Sequence, residues 1–321
     1  MKIRALVVLF FSLLPAHAAD KPKLTLDEFF NFVGFIDVKI SPDGHAVVIG
    51  TQRADWDQSI FRKDLWLYRD DASGNGNLTQ LTQSGHDSQP QWSPDGRWIA
   101  FLSERKTRKE KESDSESKSE DTAHVYLISA SGGESFPVTQ GEEEVHAFSW
   151  SADSRMLYFA TRTPWTKAQK DAYKKEWKDV SQYRAAERGD MIFSVTIADA
   201  LSRNGNAAAK VSDDAKNESD ATPGSHPLAN TSWRVEQIVT SPDGSKLAFV
   251  TTSVSERQEK VSEFEIYSVD LANASPDRPP HQVTHNEAVE NNVHWAADNR
   301  HVLFTVEIGD VPGHYRDLQP H

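Results

Sequence analysis

A five-residue turn recurs five times along this chain, and such self-similarity constrains the fold more tightly than any single motif. The copies are Ile40-Ser41-Pro42-Asp43-Gly44, Trp92-Ser93-Pro94-Asp95-Gly96, Trp150-Ser151-Ala152-Asp153-Ser154, Thr240-Ser241-Pro242-Asp243-Gly244 and Trp295-Ala296-Ala297-Asp298-Asn299. The composition is that of a tight turn: Ser or Asp caps the start, Pro presets φ, and Gly or Asn tolerates the last position. Apolar pairs follow each Asp at fixed offsets, as Val47/Ile49, Ile99/Phe101, Leu157/Phe159, Leu247/Phe249 and Val302/Phe304. A spacing of two is strand periodicity with one face buried.

A further strand comes later in the units, at Leu65–Tyr68, Val125–Ile128, Ile192–Val195 and Ile266–Val269. The units then close on Leu81-Thr82, Val138-Thr139, Val211-Ser212 and Val283-Thr284. Four short antiparallel strands repeated about every 50 residues are the blades of a β-propeller. A sandwich would not require the same turn chemistry in every unit. The expected organisation is an all-β, WD40-like propeller over 40–321, with units at 40–82, 92–139, 150–212, 240–284 and 295–321. Residues 19–39 supply a leader helix, capped at Thr25 and running into Phe29-Phe30, and a first strand.

Insertions distinguish the units. Glu104–Asp121 is almost wholly charged or Ser and reads as a solvated loop. Pro164–Gly189 carries Ala172, Tyr173, Trp177 and Val180 at helical spacing, which predicts an amphipathic helix packed on the propeller. Asp213–Asn230, rich in Asp, Ser, Asn, Pro and Gly, reads as loop.

At the N-terminus, Lys2 and Arg4 precede the apolar run Ala5–Leu14 and then Ala16-His17-Ala18. That is a signal peptide over 1–18 with cleavage expected after Ala18, because about ten apolar residues fall short of a membrane span. Export to a periplasm or beyond follows, with no membrane partner after cleavage. The chain has no cysteine, which removes disulfides, thiolate metal sites and a cysteine nucleophile. A net charge of −13 argues against nucleic acid, which selects clustered Lys and Arg.

The sequence assembles no active site. There is no Gly-x-Ser-x-Gly elbow; Ser131-Gly132-Gly133-Glu134-Ser135 reads as a hairpin turn. His281 and His285 flank a strand end, where alternation scatters them, so they make a poor metal pair. No catalytic, cofactor-binding or metal-ligating residue is assigned. The run Glu142-Glu143-Glu144, just ahead of the inner strand leading to Trp150, could pair with a substrate's α-amino group, although a solvated inter-blade loop explains it more simply.

The repeat Trp92–Phe101, the leader Leu24-Thr25-Leu26-Asp27 and the segments Lys175–Val180 and Glu187–Asp190 together resemble the propeller of the prolyl oligopeptidase family of serine peptidases. The likeness is to its dipeptidyl-peptidase and acylaminoacyl-peptidase branches and covers essentially the whole mature chain. The resemblance implies a propeller that gates a C-terminal α/β-hydrolase domain bearing a Ser-Asp-His triad and admits short peptides. It implies no triad residue in this chain, which is therefore expected to be inactive alone. In the dipeptidyl branch a Glu-Glu pair holds the peptide N-terminus, and Glu142–Glu144 stand in a similar local setting. The fifth unit holds only two strands and the start of a third near Tyr315–Leu318, so the chain reads as truncated before a hydrolase domain. The alternatives are a stand-alone periplasmic protein-binding propeller, similar to that of the Tol-Pal system, and a split peptidase whose second half is a separate polypeptide.

Overall fold

The structure is a computed structural model that describes residues 23, 25–70, 75–105, 122–178, 180, 188–205, 222–255, 260–286, 288–309 and 318–320. It divides into two compact units, 1–32 and 33–321. In the first, helix α1 (Leu26–Phe30) starts on a reciprocal cap: the Thr25 hydroxyl accepts from Glu28 N–H at 3.1 Å, and the Glu28 carboxylate accepts from Thr25 N–H at 2.9 Å.

The second unit is a β-propeller of antiparallel sheets. The first blade is β1 (Gly34–Ile40), β2 (Ala46–Asp55), β3 (Ile60–Asp70) and β4 (Gly76–Gln80). The second is β5 (Asp87–Trp92), β6 (Trp98–Ser103), β7 (His124–Ser129) and β8 (Phe136–Pro137). The third contains β9 (Val145–Trp150), β10 (Met156–Arg162), β11 (Asp190–Thr196) and β12 (His226–Asn230). Helix α2 (Lys167–Trp177) follows β10, and helix α3 (Ile197–Gly205) follows β11. The fourth is β13 (Arg234–Thr240), β14 (Lys246–Thr252), β15 (Ile266–Asp270) and β16 (His281–Gln282). The fifth has three strands, β17 (Val289–Trp295), β18 (Val302–Gly309) and β19 (Leu318–Pro320).

The repeated turn works as its composition requires. In the first four copies the Ser hydroxyl donates to the Asp carboxylate and accepts an N–H from the start of the second strand, as Ser93 does with Asp95 at 2.6 Å and Trp98 at 2.9 Å. The last turn residue is left-handed in every copy, with φ of 78° at Gly44, 62° at Ser154 and 58° at Asn299, which is why Gly or a short polar residue stands there. Where it is not Gly it gains a task. Ser154 Oγ accepts from Asp95 N–H at 3.0 Å and Asn299 Oδ1 from Asp243 N–H at 2.9 Å, each tying a turn to the blade before it.

The first motif residue stitches blades in the same direction. The indoles of Trp92, Trp150 and Trp295 donate to the carbonyls of Lys39, Gln91 and Val239, and in the fourth blade the Thr240 hydroxyl donates to Trp150 O at 2.7 Å. The closing threonines have an equally local role. The hydroxyls of Thr82, Thr139 and Thr284 accept the N–H groups of Leu65, Val125 and Ile266 at 2.8–3.0 Å. Val211-Ser212 lies outside the described residues.

The apolar pairs after the second, third and fourth turns point back toward the preceding blade. Phe101 with Ile99 lies against Val48 and Leu67, Phe159 with Leu157 against Ala100 and Leu102, and Phe249 with Leu247 against Ala160 and Ile192. Each buried aromatic ring is worth roughly 2–3 kcal/mol of hydrophobic transfer, so these seams are the core of the domain.

Three expectations are corrected. Asp213–Asn230 is not all loop: His226–Asn230 forms the fourth strand of the third blade, where Pro227 is tolerated because the strand is an edge. A helix beyond the leader and the single expected insertion is present, α3, which buries Ile197 and Ala200 and sends Arg203 to Val138 O at 2.6 Å. Helix α2 forms where expected, on a Thr166–Gln169 capping box, but buries no residue in the blades. Tyr173 stacks between Trp165 and Trp177 at 5.0 and 6.3 Å, and Val180 is exposed beyond the helix end. The charged stretch 106–121 lies outside the described residues.

Candidate functional site

The run Glu142–Glu144 lies at the mouth of the third blade, in the link that leads into β9. The alternation of β9 turns His146 inward beneath it, and the pairing of β10 with β11 sets Arg162 opposite Asp190. Gly189 allows the chain to approach the next link closely, because a Cβ there would fall 2.1 Å from Thr231 O.

The resulting cluster is a chain of ion pairs. Glu142 meets Lys170 of α2 at 2.7 Å. Glu143 pairs with Arg188 through one oxygen and with Arg162 at 3.4 Å through the other. Glu144 takes Arg162 at 2.9 Å and His146 Nε2 at 3.2 Å. His146, only 3% exposed, turns Nδ1 to Asp190 Oδ2 at 2.7 Å, and that oxygen also accepts from Val235 N–H at 2.8 Å. Arg188 lies 4.6 Å over the ring of Trp165 and donates to Thr163 O at 3.2 Å. Four acids therefore meet four basic side chains.

Electrostatics follow from this packing. Burial disfavours the charged imidazole of His146, but the hydrogen bonds to Asp190 and Glu144 outweigh it and raise its pKa. Both ring nitrogens face carboxylates, so the imidazolium can donate to each. The His146 hydrogen bond, aided by Arg162, drops the Glu144 carboxyl to about 2. An incoming ammonium would meet carboxylates that are already compensated. The geometry is that of a clamp holding the α2 insertion, through Lys170 and Arg188, onto the inner strand.

The run itself was legible in the sequence; its partners were not. Arg162 and Asp190 are brought to it by strand pairing within the blade, and Arg188 by the link that leads into β11. A local signal did exist in the alternation Glu144-x-His146 on a strand entering the core. Of the remaining candidates, His281 sits in β16 and His285 in the link beyond it, while Ser131–Ser135 joins β7 to β8 with Gly132 and Gly133 at positive φ. Among the described residues no group of three or more His, Cys, Asp or Glu is placed to hold a metal, and no helix is long and apolar enough to cross a membrane. Residues 1–18 lie outside the described residues.

No known protein-family profile matches the chain. Over 137 residues it is 26% identical to the uncharacterized peptidase YuxL of Bacillus subtilis, a match covering 43% of this chain and 19% of that protein. In structure it is similar to the tricorn protease, with a TM-score of 0.51 and 13% identity over 90% of this chain and 27% of that one. A structure described as TolB from Agrobacterium tumefaciens aligns with a TM-score of 0.48 and 15% identity over 88% of this chain and 72% of that one. The chain spans about a fifth of the curated peptidase and about a quarter of the tricorn protease. Among the described residues it is a β-propeller of four four-stranded blades and one three-stranded blade, and its fold is similar to that of a solved protease structure.

Proposed function

We propose that the chain is the propeller part of an exported serine peptidase of the prolyl oligopeptidase type, and that hydrolysis belongs to an α/β-hydrolase domain elsewhere in a longer polypeptide. The observation that carries this reading is the bare face at the start of the blade row. The surface corresponding to the buried seams of the later blades is apolar in the first blade, where Val38, Ile40 and Leu78 are 58%, 68% and 54% exposed. Leu303, on the opposite face of the last blade, is 63% exposed. Such faces call for further blades, since a propeller protects its apolar faces and strand edges by going round.

The peptidase class is supported by the B. subtilis relative, in which a stretch like this one occupies a minor share of a longer chain. In this reading the blades screen substrates by size, and the clamped α2 insertion borders the entrance. The Glu142–Glu144 run positions that insertion rather than seizing the peptide N-terminus. Residues 1–18 direct export, with cleavage after Ala18, and peptides are the substrates of the full-length enzyme.

A fluorophosphonate probe tests the division of labour. The 321-residue chain should remain unlabelled, whereas the native polypeptide captured from source cells by an antibody to this chain should be labelled. Labelling of the 321-residue chain, or a native polypeptide that refuses the probe, contradicts the proposal.

A further inference from the structure

Two glutamates are buried at the seam between the fourth and fifth blades. Glu265, leading into β15, is 4% exposed, and Glu290, the second residue of β17, is 0% exposed. Asn286 in the link joins them: its backbone N–H donates to Glu265 Oε1 at 2.9 Å, and its side-chain amide donates to Glu290 Oε1. The other oxygen of each, Oε2, is buried with no hydrogen-bond partner among the described residues.

Among the described residues no cation compensates them there. Lys260, 70% exposed, is spent on Glu263 at 3.6 Å, and Glu263 also accepts from Ser253. Glu307 on β18 accepts from Asn291 at 3.0 Å. On β14, the neighbour is Thr251, whose hydroxyl donates to the Glu265 carbonyl at 3.2 Å. From β13 the charged groups are Arg234 and Glu236, and Arg234 acts on the Glu144–His146 cluster. Glu265 is the one charge that acts on Glu290 among the described residues.

Two bare carboxylates cannot share a buried site unaided, because each charge loses its hydration. A hard cation takes about six to eight oxygen ligands. The described residues offer two carboxylates and one amide, whose Oδ1 already accepts from Ala288 N–H at 2.8 Å. A proton asks for less: it removes one charge and turns an orphaned oxygen into a donor.

We infer that Glu290 is a neutral carboxylic acid in the folded protein under mildly acidic conditions and that its proton locks the seam between the fourth and fifth blades, so that the seam weakens as pH rises toward neutrality. Burial, then the charge of Glu265, pushes the Glu290 carboxyl up to about 7. The folded state therefore binds more protons than the unfolded state between the ordinary value of 4.5 and about 7. Stability falls as pH rises through that window and is level above it.

Thermal unfolding of the whole chain between about pH 5 and pH 8 tests this, with infrared spectra recorded in parallel. The wild-type melting temperature should fall by roughly 5 °C more than that of Glu290→Gln across the range. A protonated-carboxyl stretch should persist in the wild type near pH 6, where exposed carboxylates are ionised, and vanish in Glu290→Gln. Should that variant fail to fold, the persistence of the band in the wild type still decides the matter. Matching pH profiles, absence of the band, or calcium stabilising the wild type but not Glu265→Gln would each overturn the inference, the last by showing that the pair holds a cation.

Discussion

At the seam between the second and third blades, Phe159 is 2% exposed against Ala100 and Leu102, and Trp150 is 4% exposed with its indole on the carbonyl of Gln91. Their counterparts in the first blade are Ile49, half-buried, and Ile40, 68% exposed. Both places are built by the same turn, the same offsets and the same strand register. One face has a neighbouring blade and the other stands bare among the described residues. The repeat thus encodes a surface made to be covered, while coverage itself depends on what lies next in the ring. The first blade also carries Ile40 where four others carry an indole or hydroxyl donor, so this face offers apolar contact in place of that hydrogen bond.

Truncation separates the two places most strongly. Phe159→Ala should destabilise the chain by roughly 3–5 kcal/mol, since it opens a cavity in a closed seam. Calorimetric or denaturant unfolding reads this directly, and a loss below about 1 kcal/mol would mean that the seam is not the core described.

Next in size is the ion-pair chain beneath Glu144. Asp190→Asn leaves the buried His146 without its inner carboxylate and should cost about 3 kcal/mol near neutrality. The sign with pH follows from the raised pKa of His146. Its contribution is complete below the ordinary value of 6.5 and disappears as pH climbs through the folded value, so wild type and variant should converge in alkali. The depressed Glu144 carboxyl works the other way, losing its contribution as pH falls from 4.5 toward about 2. Unfolding curves at several pH values that keep a constant gap between the two proteins would dismiss the pairing.

The smallest effect belongs to the bare face. Ile40→Thr should change stability by less than about 0.5 kcal/mol, the usual range for an exposed site. It should nonetheless reduce self-association in sedimentation, because Ile40 belongs to an uncovered apolar sheet face. A large loss of stability would show that the face is covered in the isolated chain.

How much of this was legible depended on range. The turns and the strand alternation act within a few residues of themselves and the closing threonines within their own blade, so residue type and spacing disclosed them. Helix α3 was also announced locally: Thr196 accepts from Asp199 N–H at 3.0 Å and donates to its carboxylate at 2.6 Å, a cap followed by Ile197, Ala200 and Leu201. The fourth strand of the third blade was hidden because His226-Pro227-Leu228-Ala229-Asn230 has little strand character and is recruited by β11. The partners of Glu142–Glu144 and the pairing of Glu265 with Glu290 join residues from different strands or blades, and no local pattern records such meetings.

The size of the native polypeptide tests the central claim most directly, by immunoblot of source cells with an antibody raised against this chain. The propeller of a larger peptidase predicts a band near twice the 36.0 kDa of this sequence. A native band at 36.0 kDa or slightly below would contradict it and leave a stand-alone binding propeller, or one half of a split enzyme, as the better description.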